Sequence, residues 1–177
     1  MEQLRLLLEQ LIAFESQEDL IAIGREINEV KINFEDHLIE AERVQQIAML
    51  DAAEKGESID SIDFAVLKNE FITRYKAIQE KRKQQISLKD TLERENLKLK
   101  KGLLDELKRI IESEEHIASA FQSYKNIHET WKKIGDIPRD QRDGIQKEYA
   151  RLLEIFFYTM RIYREIKDHD YKRNLQL

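Results

Sequence analysis

Leu104-Asp-Glu-Leu107, then Glu112-Ser113-Glu-Glu115, then Ile117, Ala120, Tyr124, Ile127 and Trp131: this stretch decides the fold, because the chain carries it twice. Leu8-Glu-Gln-Leu11 is the earlier form of its first part and Glu15-Ser16-Gln-Glu18 that of its second, with one residue added between them in the later copy. Leu20, Ile23, Ile27, Val30 and Phe34 then match the five apolar positions. A second echo lies further on, where Asn96-Leu-Lys-Leu99 returns as Asn174-Leu-Gln-Leu177, 78 positions later (174 − 96). A repeated short unit cannot bury its apolar face alone and stacks on its neighbour, so the repetition speaks of architecture and hardly of chemistry.

Working outward, the pattern around these copies is helical throughout. A first helix is predicted from Glu2 to about Phe14, with Leu4, Leu7, Leu8 and Leu11 on one face. Ser16 is placed to cap a second helix, whose stripe Leu20, Ile23, Ile27, Val30, Phe34, Leu38, Ala41 and Val44 keeps a three-or-four spacing up to Lys55, with Gly56 as its stop. Ser58, Asp60 and Ser61 offer capping oxygens for a third helix, opened by Phe64, Leu67, Phe71, Tyr75 and Ile78 and resumed by Leu92, Leu99, Leu103, Leu107 and Ile110. Nothing but Gly102 interrupts it before Glu112, so about 50 residues at about 1.5 Å each predict a rod of roughly 75 Å whose two ends serve different packing units. Ser113 is read as the next cap, Ile117, Phe121, Tyr124, Ile127, Trp131 and Ile134 as the next stripe, and Gly135 as its stop. Beyond Pro138, Asp140 caps a last helix with Ile145, Tyr149, Leu152, Phe156, Met160 and Tyr163 turned inward. That helix meets no stop signal, which predicts a chain cut short before a further copy.

The predicted fold is all-α: elongated helical-hairpin and three-helix repeat units joined by a long continuous helix. Residues 1–63 form an N-terminal helical hairpin, 64–112 the connecting helix, and 113–177 a second repeat unit. Composition agrees, since 37% charged residues, one proline and five glycines suit long exposed helices and coiled coils. The absence of cysteine removes disulfides, thiolate metal sites and cysteine nucleophiles together. Met1-Glu-Gln-Leu-Arg5 lacks a basic region followed by an apolar core, and no window approaches the ~18 apolar residues of a spanning helix, so a soluble, cytoplasmic protein is expected. Charge is uneven under a net −5: Glu35 to Asp63 holds nine acids and two bases, Lys81 to Lys101 eight bases and three acids. Such asymmetry marks a binding face or internal pairing.

Trp131-Lys-Lys-Ile134-Gly135-Asp-Ile137-Pro138, followed by Asp143, Tyr149 and the pair Phe156-Phe157, resembles the bacterial tandem-repeat family catalogued as domain of unknown function 349. The resemblance runs from about Leu92 to Leu177. It rests on a tryptophan, an Ile-Gly-x-Ile-Pro turn and a helix with a double phenylalanine, and it implies a cytoplasmic multi-repeat helical protein whose biochemical role is unestablished. Gln146 stands where that family usually has an aromatic, and Gly144 beside it weakens the helix start by about 1 kcal/mol. In physical terms Trp131 and Ile137 close over a helix end while Pro138 sends the next helix back, a fixed elbow in which Trp131, Phe156 and Phe157 belong to a core.

Catalytic chemistry finds little support. The residues three before His37, His116, His128 and His169 are Phe34, Ser113, Lys125 and Ile166, so the Glu-x-x-His pairs of a di-iron bundle are missing, and His128-Glu129 lacks the second histidine of a zinc motif. Asp168-His169-Asp170 with Glu165 reads as a solvated helix face. Glycines at 24, 56, 102, 135 and 144 never come closer than nine residues (144 − 135), too far apart for a phosphate loop. No enzyme, metal, cofactor or small-molecule substrate is expected. Lys81, Arg82, Lys83, Lys98, Lys100 and Lys101 are candidate contacts for RNA or a ribosome, since basic residues on a helix neutralise phosphates. Glu18, Asp19, Glu26, Glu29, Glu35 and Asp36 would face the same stretch in a hairpin about Gly56 and offer internal pairing instead. The expected function is a non-catalytic scaffold or adaptor module, binding another protein or a second copy through helix faces, with an RNA- or ribosome-associated protein as the alternative.

Overall fold

The computed structural model describes residues 1–113 and 116–176, and within them the chain is all helical: α1 (Glu2–Glu15), α2 (Gly24–Glu54), α3 (Ala65–Ser113), α4 (Ile117–Lys133) and α5 (Arg139–Leu175), with no strand among the described residues. Glu115 and Leu177, which close two of the sequence echoes, lie outside the described residues. Two compact units divide the chain, Met1–Leu88 and Lys89–Leu177, so that α3 supplies helix to both.

In the first unit Leu4, Leu7, Leu8 and Leu11 of α1 meet Leu20, then Ile27, Val30, Phe34 and Leu38 of α2, with Phe64, Phe71 and Ile78 closing the core. The Phe34 and Phe71 rings lie parallel, centroids 3.8 Å apart and planes within 6°. Fully buried aromatic pairs of this kind add ~0.5–1.5 kcal/mol beyond the area they remove from water. Glu15 of α1 pairs with Arg74 of α3 at 3.0 Å. Both groups are about a third exposed, so this bridge fixes register more than it adds stability.

The helix ends differ from the sequence reading in an instructive way. Ser16 caps nothing ahead of it: its hydroxyl donates back to the Ala13 carbonyl at 2.8 Å, and Asp19 accepts the Ile21 and Ala22 N–H groups instead. Ser113 likewise ends α3 with its hydroxyl on the Arg109 carbonyl, and His116 occupies the N-cap of α4. Asp63 caps α3, taking the Ala65 N–H at 2.8 Å, in place of Ser58, Asp60 or Ser61. Gly56 behaves as expected. With φ +71° it lets the Gly56 and Glu57 N–H groups turn back to Ala53 and Ala52, a Schellman ending whose left-handed residue favours glycine.

The second unit is built from the far half of α3, α4 and α5. Leu104, Leu107 and Ile110 meet Ala120, Ile127 and Trp131, and Ile137, Ile145, Tyr149, Leu152, Phe156 and Met160 complete the core. Trp131 and Tyr149 stack with centroids 4.0 Å apart and planes within 9°, the counterpart of Phe34 on Phe71. Gly135 has no left-handed backbone. Ile134 turns extended after α4, and a Cβ on Gly135 would lie 3.2 Å from Nδ2 of Asn96, which donates to the Asp136 carbonyl at 2.8 Å, so a side chain there requires the Asn96 amide to give by a few tenths of an ångström. Pro138, not Asp140, is the N-cap of α5. Leu92, Leu99 and Val44 were expected inside and lie more than half exposed, as does Leu88; Phe157 and Tyr163 also face outward. In α3 the chosen stripe drifts around the helix and the core takes Leu104 more fully than Leu103, while of the double phenylalanine Phe156 is buried as expected and Phe157 is not.

Candidate interaction surfaces

Three places on this scaffold hold groups that packing has not consumed. The first lies in the first unit, where α2 outruns α1. Past Leu38 only Ala52 of α2 is buried, while Ile39, Val44, Ile47, Met49 and Leu50 stand in solvent. The connection 57–64 returns along this part of α2 as an extended strap, fixed by Gln45, whose carboxamide accepts the Ile62 N–H at 2.7 Å and donates to the Ile62 carbonyl at 3.1 Å. Between strap, α2 and the first turn of α1 runs a groove of about 480 Å³ lined by Leu4, His37, Ala41, Val44, Ile59 and Ile62 among others, with Glu40 and Asp60 at its edge. Glu40 accepts from Nε and Nη2 of Arg43 at 2.9 and 2.8 Å, and this hydrogen bonding keeps its carboxyl below the usual range. A second depression lies on the same helix, lined by Glu42, Gln45, Gln46, Met49 and Leu50.

The six basic candidates divide between the units. In the first, Lys81 and Lys83 are exposed, whereas Arg82 lies against Gly24, where a Cβ would come within 2.5 Å of its Nη2, and its buried Nε has no hydrogen-bond partner. In the second, Lys98 and Lys101 are exposed, and the Lys100 ammonium sits 4.7 Å above the Trp131 ring, a cation–π contact worth ~0.5–1 kcal/mol. None of the six forms an ion pair among the described residues, so of the two alternatives left open by the sequence the internal pairing with the acids between Glu18 and Asp36 is not seen there. The pair that does cross to α1, Arg74 with Glu15, had no mark in the sequence.

The third place is the elbow and the aromatic surface beside it. Trp131 and Ile137 are both buried in one core, so the Trp-x-x-Ile-Gly-x-Ile-Pro segment is a packing motif here. His128 Nδ1 lies 3.0 Å from the Tyr149 hydroxyl, and burial pushes that phenol above its ordinary range. Phe121 and Phe156 meet edge to face at 5.5 Å, and Phe157, 43% exposed, lies against Phe121 and Tyr124. Asp168, His169 and Asp170 are exposed, as is every residue from Tyr163 to Gln176. No helix is long and apolar enough to cross a membrane, and no cluster of three metal-binding side chains occurs, among the described residues.

A scan against known families gives a match that spans α3, α4 and the elbow. Residues 66–140 match the model of the family Domain of Unknown Function (DUF349). The DUF349 stretch therefore takes in α3 almost from its start, earlier than the Leu92 suggested by the motif, and stops just after Pro138, leaving Tyr149 and Phe156 outside it. Comparison with curated proteins and with solved structures found no match.

Proposed function

We propose that the chain is a non-catalytic helical adaptor of the cytoplasm that binds other proteins through helix faces. The observation supporting this reading is apolar side chains held in water on rigid helix and strap, chiefly Ile39, Val44, Ile47, Met49 and Leu50 on α2 and Ile59 and Ile62 on the strap. Large apolar side chains left in water on an ordered surface mark a contact surface. The non-catalytic part of the reading is supported by a sequence without cysteine or closely spaced glycines and by described residues in which no three metal-binding side chains cluster. A photo-crosslinking amino acid placed at Val44 and, separately, at Tyr158, which follows Phe157 on α5 and is 58% exposed, tests it in cells. Light-dependent protein adducts at either position are expected; none at both refutes the reading.

One observation favours a second reading, RNA or ribosome contact: Lys81, Lys83, Lys98 and Lys101 are exposed and form no ion pair among the described residues. Titration with a generic RNA at two salt concentrations separates the two. A steep loss of affinity with salt, abolished by Lys81→Glu with Lys83→Glu, supports RNA. No binding at low salt excludes it.

A further inference from the structure

Comparing the two units shows which part of the first is dispensable for its core. The stacked rings are separated by 37 positions in the first unit (71 − 34) and by 18 in the second (149 − 131). A connection half as long closes the same kind of stack, so some 19 additional residues (37 − 18) in the first unit are not required for the core. Those residues fall in the far turns of α2 and the strap up to Asp63, where only Ala52 is buried, and they build the groove together with Leu4 and Phe64. Their seven large apolar side chains, from Ile39 to Ile62, are each more than two-fifths exposed. Even so the segment is tightly made, with a left-handed glycine ending, a doubly bonded glutamine and an aspartate cap. Order without burial is what a pre-built binding surface requires, because a partner then docks without having to order its host.

We infer that this groove is the docking site for a basic amphipathic helix of a partner protein, an assignment that rests on the helix-face reading above. Length, polarity and charge each narrow the occupant. The groove is lined along α2 from His37 to Ala48, about 16 Å at about 1.5 Å per residue, long for a small molecule and suited to about three turns of a helix anchored at i, i+4 and i+7. Both polar ends of the Gln45 side chain are already bonded to Ile62, so covering it leaves no amide stranded. Among the described residues Glu40 and Asp60 line the groove and no lysine or arginine does, and the segment from Glu35 to Asp63 that builds its α2 and strap walls carries nine acids against two bases. A cationic helix gains from that field, whereas nucleic acid and anionic lipid are repelled by it.

The test uses the full chain and three synthetic peptides: an amphipathic leucine–lysine helix, the same residues in scrambled order, and an amphipathic leucine–glutamate helix. Fluorescence anisotropy is expected to show binding of the first alone, weakened by added salt and weakened at least about tenfold by the double variant Val44→Arg, Ile62→Arg. Both positions are about half exposed, so the helix content of this variant stays that of the parent by circular dichroism. Equal binding of the scrambled or acidic peptide, or indifference to the double variant, overturns the inference. So does a dimer of the chain alone, seen in sedimentation and dissolved by the double variant, since that assigns the groove to a second copy. Crosslinked partners at Tyr158 with none at Val44 remove the groove and leave the helix-face reading standing. Adducts at neither position remove both.

Discussion

Replacing Phe34 by alanine asks whether the halves of α3 belong to separately cooperative structures. The Phe34 ring is 1% exposed and lies 3.8 Å above Phe71, so its removal opens a cavity between α2 and α3 that the parallel ring cannot refill. Buried Phe→Ala changes cost about 3–5 kcal/mol. An 88-residue unit is stable by about 4–13 kcal/mol at typical values per residue, so the loss is a large share of the total. At ~4–8 °C for each kcal/mol in a domain of this size, the melting midpoint of the first unit falls by at least ~12 °C. Trp131, the only tryptophan, lies in the second core and reports on it alone. The assay is therefore paired, with circular dichroism following all the helix and tryptophan fluorescence following the second unit. The Phe34→Ala protein is expected to lose part of its helix early while the tryptophan transition stays near its original midpoint. Two traces that move down together by the full amount would refute this reasoning and make the molecule one cooperative whole.

Gly56→Ala places a Cβ on a residue at φ +71° with open space around it, and a loss of about 1 kcal/mol in denaturant melts is expected from backbone conformation alone. Gln85→Leu strips the Leu20 N–H of its 2.9 Å acceptor and the Glu18 carbonyl of its donor, which costs about 1–3 kcal/mol and raises hydrogen exchange at Leu20; unchanged exchange there would contradict the bond. Burial raises the Tyr149 phenol above the ordinary 10.0, so the folded state holds its proton more tightly than the unfolded chain does. That stabilising contribution is whole below pH 10 and is lost as pH rises through the folded value. Unfolding followed against pH above this point, by phenolate absorbance, should flatten in Tyr149→Phe, and an unchanged slope would exclude Tyr149 as its source.

The apolar stripes were legible because helical periodicity is a property of the chain alone. Leu20, Ile27, Val30, Phe34 and Leu38 lie on one face whatever they pack against, and they are buried. The tightest end, Gly56, was equally plain, since a left-handed residue is the one backbone state with a strong preference for a particular amino acid. Serines misled for a physical reason: a hydroxyl at a helix junction reaches the preceding turn's carbonyl as easily as the following turn's amide, so Ser16 and Ser113 turned back. What escaped altogether was the use of side-chain amides to fasten loops, Gln45 to the strap, Gln85 to the Glu18–Leu20 turn and Asn96 to the elbow. A glutamine inside a polar stretch has no periodicity to betray it, and its partner lies 17 to 67 positions away. The groove was hidden likewise, since Val44 continues the stripe in sequence although α1 is too short to cover it.

Because α3 completes one core before it begins the next, the order of synthesis matters. The last side chain of the first core, Ile78, leaves the ribosome 82 residues ahead of Met160, the last of the second (160 − 78). At about 5–20 residues per second this is a delay of roughly 4–16 s, far longer than a helical domain needs to fold. The nascent chain thus carries a finished domain while Leu104, Leu107 and Ile110 still wait, bare, for α4 and α5 to emerge. Those three residues are where a chaperone would find its hold.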